Sequence, residues 1–231
     1  MAVSQDRQTR RPGRAARSGL PDPALGARLR AERERRDISL SELARRLGVS
    51  ASLISQIETG KSKPSVVTLY GIASELGLSV DELLFTGNGT QAGQPAPAGV
   101  AAAAAGAPAS MVPAASEGGD GPVQRAGRRK VIELESGVRW ERLTAAHDPD
   151  VDFLYCVYDV GGASSSNPAL LRHDGKEYGL VISGRLRATV GFESYLLEAG
   201  DSVSFPATTP HRYDNAGDEP VRFVTCVVHN A

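Results

Sequence analysis

Apolar residues recur at helical spacing in the early part of the chain and alternate at strand spacing in its last hundred or so residues. In "ALGARLRAERERR" (24–36), Leu25 and Leu29 share one face of a charged segment, which predicts an amphipathic helix. Ser39 followed by Glu42 makes a capping box that opens a second helix, "LSELARRL", closed by Gly48. Ser50 caps a third, "ASLISQIET", closed by Gly60. A fourth, "PSVVTLYGIASEL", ends at Gly77, and Ser79 with Glu82 caps a fifth, "VDELLF". Five short helices joined by tight turns predict a compact all-helical domain over residues 24–86.

From residue 125 onward the period becomes two. "RKVIELE", "VRWERLTA", "VDFLYCVYDV", "EYGLVIS", "RLRATVG", "SYLLE", "DSVSFP", "HRYDN" and "VRFVTCVVH" read as short strands punctuated by Gly, Pro, Asn or Asp. No helix of comparable strength interrupts them, so residues 125–231 predict a closed antiparallel barrel or jelly roll. Between the halves, residues 87–124 consist almost wholly of Ala, Gly, Pro, Ser and Gln without an amphipathic period. This composition predicts a flexible linker spanning roughly 35 Å, which would join the domains without fixing their geometry.

Charge adds little for the whole chain, where 26 Lys and Arg balance 27 Asp and Glu. Its distribution says more: residues 1–86 carry 14 basic and 10 acidic side chains, and residues 125–231 carry 12 and 15. The first 20 residues hold five arginines and one aspartate with no apolar stretch behind them. Residues 1–23 therefore read as a disordered basic arm rather than a secretory signal. With no membrane-spanning run and two cysteines, Cys156 and Cys226, set in apolar strand-like segments, the expectation is a cytoplasmic protein with reduced thiols. A bridge between them stays open.

Function first becomes visible in "LSELARRLGVSASLISQIETGK". Leu40, Leu43, Ala44, Leu47, Val49, Ile54 and Ile57 supply the apolar positions of two helices about a turn at Gly48, which leaves Ala51, Ser52, Ser55 and Gln56 on the outer face of the second. Short polar side chains there suit a helix that enters a major groove. The stretch, continued through "KSKPSVVTLYGIASELGLSVDELL", resembles the helix-turn-helix domain of the Xre and lambda-repressor-like transcription factors from Leu25 to Phe85. By that resemblance Ala51, Ser52, Ser55 and Gln56 would face base edges, with Gln56 the candidate for a bidentate contact to adenine. Lys61, Lys63 and the amide ends of the helices capped by Ser39 and Ser50 would hold phosphates. Arg33 and Glu58 fall where the family often has a structural ion pair. No Arg or Asn lies on the readout face, so DNA shape and the arginines of residues 7–17 entering a minor groove would share in specificity.

The strand-rich half has its own signature. His173, Glu177 and Gly184, followed by Gly200, Pro206, His211 and Asn215 in "GDSVSFPATTPHRYDN", resemble the two motifs of the cupin fold, a double-stranded β-helix. The resemblance implies that inward-facing residues converge on a divalent metal inside the barrel. The usual first histidine is Leu171 here, which leaves His173, Glu177 and His211. Two histidines and one carboxylate form the set of non-haem Fe(II) sites, and they suit Zn or Mn as well.

Three readings of the trio stay open: a metal-free barrel in which its members hydrogen-bond an organic ligand or one another, a metal-assisted sensor, and an iron enzyme. The enzyme reading draws on a likeness in architecture to hydroxypropylphosphonate epoxidase, which joins a helical domain to an iron cupin. Intact DNA-facing features favour a regulator, in which the cupin would sense a small molecule or metal and pair the chain as a homodimer on a pseudo-palindromic operator. No Ser-His-Asp arrangement, phosphate loop or CxxC motif supports other chemistry, and His147 and His229 receive no role.

Overall fold

The computed structural model describes residues 23–85 and 121–229. The basic arm, apart from Pro23, and the linker, apart from its last four residues, lie outside the described residues.

Five helices make up the N-terminal domain: α1 (Pro23–Arg35), α2 (Leu40–Leu47), α3 (Ala51–Glu58), α4 (Val66–Leu76) and α5 (Val80–Phe85). Their ends follow from the side chains present. Ser39 and Ser50 stay extended and accept the amides of Glu42 and Leu53, each at 3.1 Å, which satisfies donors that a helix start leaves orphaned. At Ser39 only half of the expected capping box forms, because the Glu42 carboxylate turns to Arg45 and Arg46 instead. Gly48 ends α2 at φ 66°, in the left-handed region that a residue with a Cβ disfavours. Leu43, Ile54, Leu69, Ile72, Leu76 and Leu83 fill the domain's centre, each 2% exposed or less, and burial of each stabilises by about 1.5–3 kcal/mol.

The C-terminal domain has nine strands among the described residues: β1 (Val131–Glu133), β2 (Val138–Arg142), β3 (Val151–Tyr158), β4 (Lys176–Ser183), β5 (Leu186–Val190), β6 (Glu193–Leu197), β7 (Ser202–Pro206), β8 (His211–Asn215) and β9 (Val221–Val228). They form an antiparallel sheet in the order β1-β2-β3-β9-β4-β7 and a second in the order β6-β5-β8, a jelly-roll arrangement. Strict alternation sets the inner face: Glu177, Gly179 and Val181 from β4, His211, Tyr213 and Asn215 from β8, and Val221, Phe223, Thr225 and Val227 from β9. Gly184 makes the β4–β5 turn at φ 82°, and a Cβ there would meet Val221 Cα at 2.9 Å. The cupin-motif Asn215 proves structural, its amide donating to the carbonyls of Tyr158, Asp159 and Glu219.

Against the expectation from the linker's composition, the two domains have a defined seam. The amide of Glu135 donates to Pro64 O at 2.9 Å and that of Val67 to Ser164 O at 3.4 Å. The Asp81 amide donates to Asp152 Oδ1 at 2.8 Å, and the Asp81 carboxylate faces His147 at 2.8 Å and Arg142 at 3.4 Å. Tyr70 packs edge-on against Trp140 with ring centroids 5.8 Å apart. Side chains of α4 and α5 thus find apolar and charged partners on the barrel, and these contacts fix how the two domains meet.

Candidate metal centre and DNA-facing helix

His173, Glu177 and His211 come from three places in the barrel. Glu177 and His211 point inward from β4 and β8, while His173 sits in the loop after Leu171, which bridges to His211. Their ligand atoms all lie within 4.8 Å of one another. His211 Nε2 stands 3.3 Å and His173 Nε2 3.6 Å from Glu177 Oε2. Ligand atoms bound to one ion at about 2.1 Å stand roughly 3–4 Å apart, so both separations suit a shared ion.

The partners of each group prepare it for that role. His173 Nδ1 lies 3.0 Å from Asp174 O and His211 Nδ1 2.9 Å from Thr209 O. A carbonyl can only accept, so Nδ1 carries the proton and Nε2 presents its lone pair. Both Nε2 atoms are buried without a hydrogen-bond partner, which a metal would remedy. Glu177 Oε1 accepts from Tyr213 and Thr225, both at 3.0 Å, leaving Oε2 toward the imidazoles. Burial pushes the Glu177 carboxyl upward, but the His173 and His211 rings and the Tyr213 hydroxyl outweigh it and hold the group below its ordinary range. Burial also lowers His211, which favours the neutral imidazole that metals bind. Tyr213 is pushed well up by burial and by Glu177, and remains a donor.

The residues therefore fit one divalent ion. Leu171, 6% exposed, stands on the cavity wall where the usual cupin has its first histidine, so three protein ligands are available. The cavity measures about 20 Å3 and is lined by Glu177, His211, Leu171, Trp140, Tyr158 and Tyr213 from the barrel, and by Val66 and Tyr70 from α4. Sequence reasoning missed these last two. Nothing local marks them, since at helical spacing both read as ordinary core positions of the fourth helix.

In the helical domain, α3 presents Ala51, Ser52 and Gln56 as exposed side chains and Ser55 as half-buried. Ser39, Ser50 and Lys61 are exposed and Lys63 is half-buried. Behind α3, Arg33 Nε donates to Glu58 Oε1 at 2.6 Å and Nη2 to Oε2 at 3.0 Å. This buried two-pronged pair ties α1 to α3, while Ala51, Ser52 and Gln56 stay exposed. His147 and His229, given no role above, bond Asp81 and Asp152, both buried. Cys156 and Cys226 are free, the first buried and the second half-buried. Among the described residues no helix is long and apolar enough to cross a membrane.

Comparison with known proteins agrees with this geometry. A helix-turn-helix family matches residues 29–83 and a cupin domain family residues 154–228. The HTH-type transcriptional regulator SutR of Escherichia coli is 28% identical over 199 residues, covering 86% of this chain and 91% of that protein. PuuR, another HTH-type transcriptional regulator of E. coli, is 23% identical over 202 residues, covering 87% and 93%. An HTH_3 family transcriptional regulator from Vibrio cholerae has a similar fold, with TM-score 0.60 at 18% identity over 90% of this chain and 97% of its own. The chain joins an Xre-like helix-turn-helix domain to a cupin domain, and its likeness to HTH-type transcriptional regulators along most of its length supports a regulatory role.

Proposed function

We propose that this regulator binds a pseudo-palindromic operator as a homodimer, reading bases through α3, and that its cupin holds one divalent ion of Fe, Zn or Mn as part of a sensor. The observation that carries the DNA-binding reading is the placement of α3. The domain meets the barrel through α4 and α5, while Ala51, Ser52 and Gln56 stay exposed. In this reading Gln56 contacts a base, Ser52 and Ser55 lie against the groove, and Lys61, Lys63 and the helix starts at Ser39 and Ser50 contact phosphates. Replacing Lys61 and Lys63 with Ala should lower the slope of log affinity against log salt by about 2. Anisotropy titrations across salt concentrations measure it, and an unchanged slope removes both from the phosphate contacts.

Pairing is supported by the outer face of the larger sheet. Phe153, Cys226 and Tyr178 lie side by side across β3, β9 and β4, as do Tyr155, Val224 and Leu180. Phe153, Tyr178, Leu180 and Ile182 are 38–46% exposed, and a contiguous apolar patch of this kind marks an interface. A second copy seated there would give two recognition helices for half-sites about 34 Å apart.

Within the cupin, the Nε2 atoms without hydrogen-bond partners and the Glu177 oxygen turned toward them support the metal. The cavity of about 20 Å3 accepts an ion or a water, and Val66 and Tyr70 of α4 form part of its wall. The competing reading, an iron enzyme, rests on the two-histidine, one-carboxylate set. Metal analysis with oxygen-uptake measurements separates them: stoichiometric iron together with substrate-dependent oxygen consumption would overturn the regulator-only reading.

A further inference from the structure

We infer that Tyr70, a residue of the DNA-binding domain, is a positioning residue for the metal ligand His173, so that metal binding in the barrel and docking of the helix-turn-helix domain form one linked equilibrium. The inference rests on the reading of His173, Glu177 and His211 as metal ligands. It begins with an asymmetry between the two imidazoles. His211 belongs to β8 and has the rings of Phe205 and Tyr213 at 4.9 and 6.1 Å. His173 lies outside any strand, and on the barrel side its ring has a bond from Nδ1 to the carbonyl of the next residue and an edge contact with His211 at 5.2 Å.

The broad face of His173 is covered from the other domain. Tyr70 stacks on it with centroids 4.2 Å apart and planes 10° from parallel, and the Tyr70 ring is held in turn by Trp140. A stacked neighbour restrains rotation of the imidazole and leaves its in-plane Nε2 lone pair free for a ligand bond. Tyr70 is only 6% exposed, so the contact exists only while α4 sits on the barrel. The same helix begins two residues after Pro64, whose carbonyl accepts the Glu135 amide. Immediately before Pro64 lie Lys61 and Lys63. The element that orients a metal ligand therefore continues directly into the loop assigned above to phosphate contact.

Linkage makes the consequence reciprocal: if docking raises metal affinity by some factor, metal raises the docking constant by the same factor. The test uses the full chain and Zn(II) in chelator competition. Removing a group that orients a metal ligand costs about 10–100-fold in affinity, so Tyr70→Ala should weaken Zn(II) binding at least tenfold. Tyr70→Phe, which keeps the ring, should bind like the wild type. Hydrogen exchange gives a readout that a merely structural role would not move. Saturating Zn(II) should slow exchange in residues 64–76 of the wild type, and in Tyr70→Ala it should slow only the barrel strands. Wild-type affinity in Tyr70→Ala, or loss of affinity in Tyr70→Phe, overturns the inference and leaves the metal site standing. Failure of the wild type to bind Zn(II) better than His211→Ala removes the metal reading and this inference with it. Should Tyr70→Ala fail to fold, the wild-type exchange decides, and unchanged rates at 64–76 overturn the proposal.

Discussion

Glu177 gives one oxygen to Tyr213 and Thr225 and turns the other toward two imidazoles. Each donor of the trio thus has one side anchored and one side free, which is the condition for a preorganised ion site. His211→Ala should abolish stoichiometric Zn(II) binding while leaving the barrel folded, as judged by circular dichroism and calorimetric titration. On the DNA side, Gln56→Ala should cost about 1–3 kcal/mol on a specific site and little on random DNA; equal losses on both would remove the base contact. The trio was nominated through the cupin resemblance, whose motif spacing is local, and the structure brings the three side chains together. Tyr70 was not, because its contact with His173 arises only when two separate domains meet.

At the scale of elements, helix boundaries were legible at the Ser39, Ser50 and Ser79 caps and at the closing Gly48 and Gly77. Ser65, which caps α4 by accepting the Thr68 amide at 3.1 Å, escaped notice inside the apolar run "PSVVTLY". The Arg33–Glu58 pair was suggested only by the family resemblance. With its side chains 8% and 4% exposed, Arg33→Ala should destabilise the helical domain by about 3–5 kcal/mol by stranding a buried carboxylate, measured by urea unfolding. Strand positions were visible from their period, but register was not. A one-residue slip exchanges the two faces, so pairing was needed to place Tyr158 and Tyr213 inside and Tyr178 outside. With register known, Leu180→Glu on the outer face of β4 should convert the proposed dimer to monomer in sedimentation velocity.

For the whole molecule, the main departure from the sequence reading is the seam. The two domains are far apart along the chain, and closing so long a connection costs entropy that grows only slowly with its length. Val66, Tyr70 and Trp140, together with the Asp81–Asp152 pair, supply the contacts that outweigh this cost. Asp152, fully buried, accepts the Asp81 amide and faces His229 at 2.8 Å. The Asp152 carboxylate holds His229 above its ordinary value of 6.5. A raised folded-state pKa contributes stability that is complete below 6.5 and lost as pH rises through the raised value. The melting temperature of His229→Ala should therefore fall below the wild type at pH 6, by an amount equivalent to roughly 1–2 kcal/mol, and the gap should narrow at alkaline pH.

The central claim is that the metal site and the DNA-binding face belong to one device. In the proposed dimer, domains held on the paired barrel would present two recognition helices at fixed separation and a high effective concentration, so metal-stabilised docking should tighten operator binding. The direct measurement is the Kd for a DNA site obtained by in vitro selection, read by fluorescence anisotropy at constant salt, with saturating Zn(II) and with chelator. At coupling energies of about 1–3 kcal/mol the metal-bound protein should bind some 5–150-fold more tightly, and equal affinity in the two conditions would contradict the account.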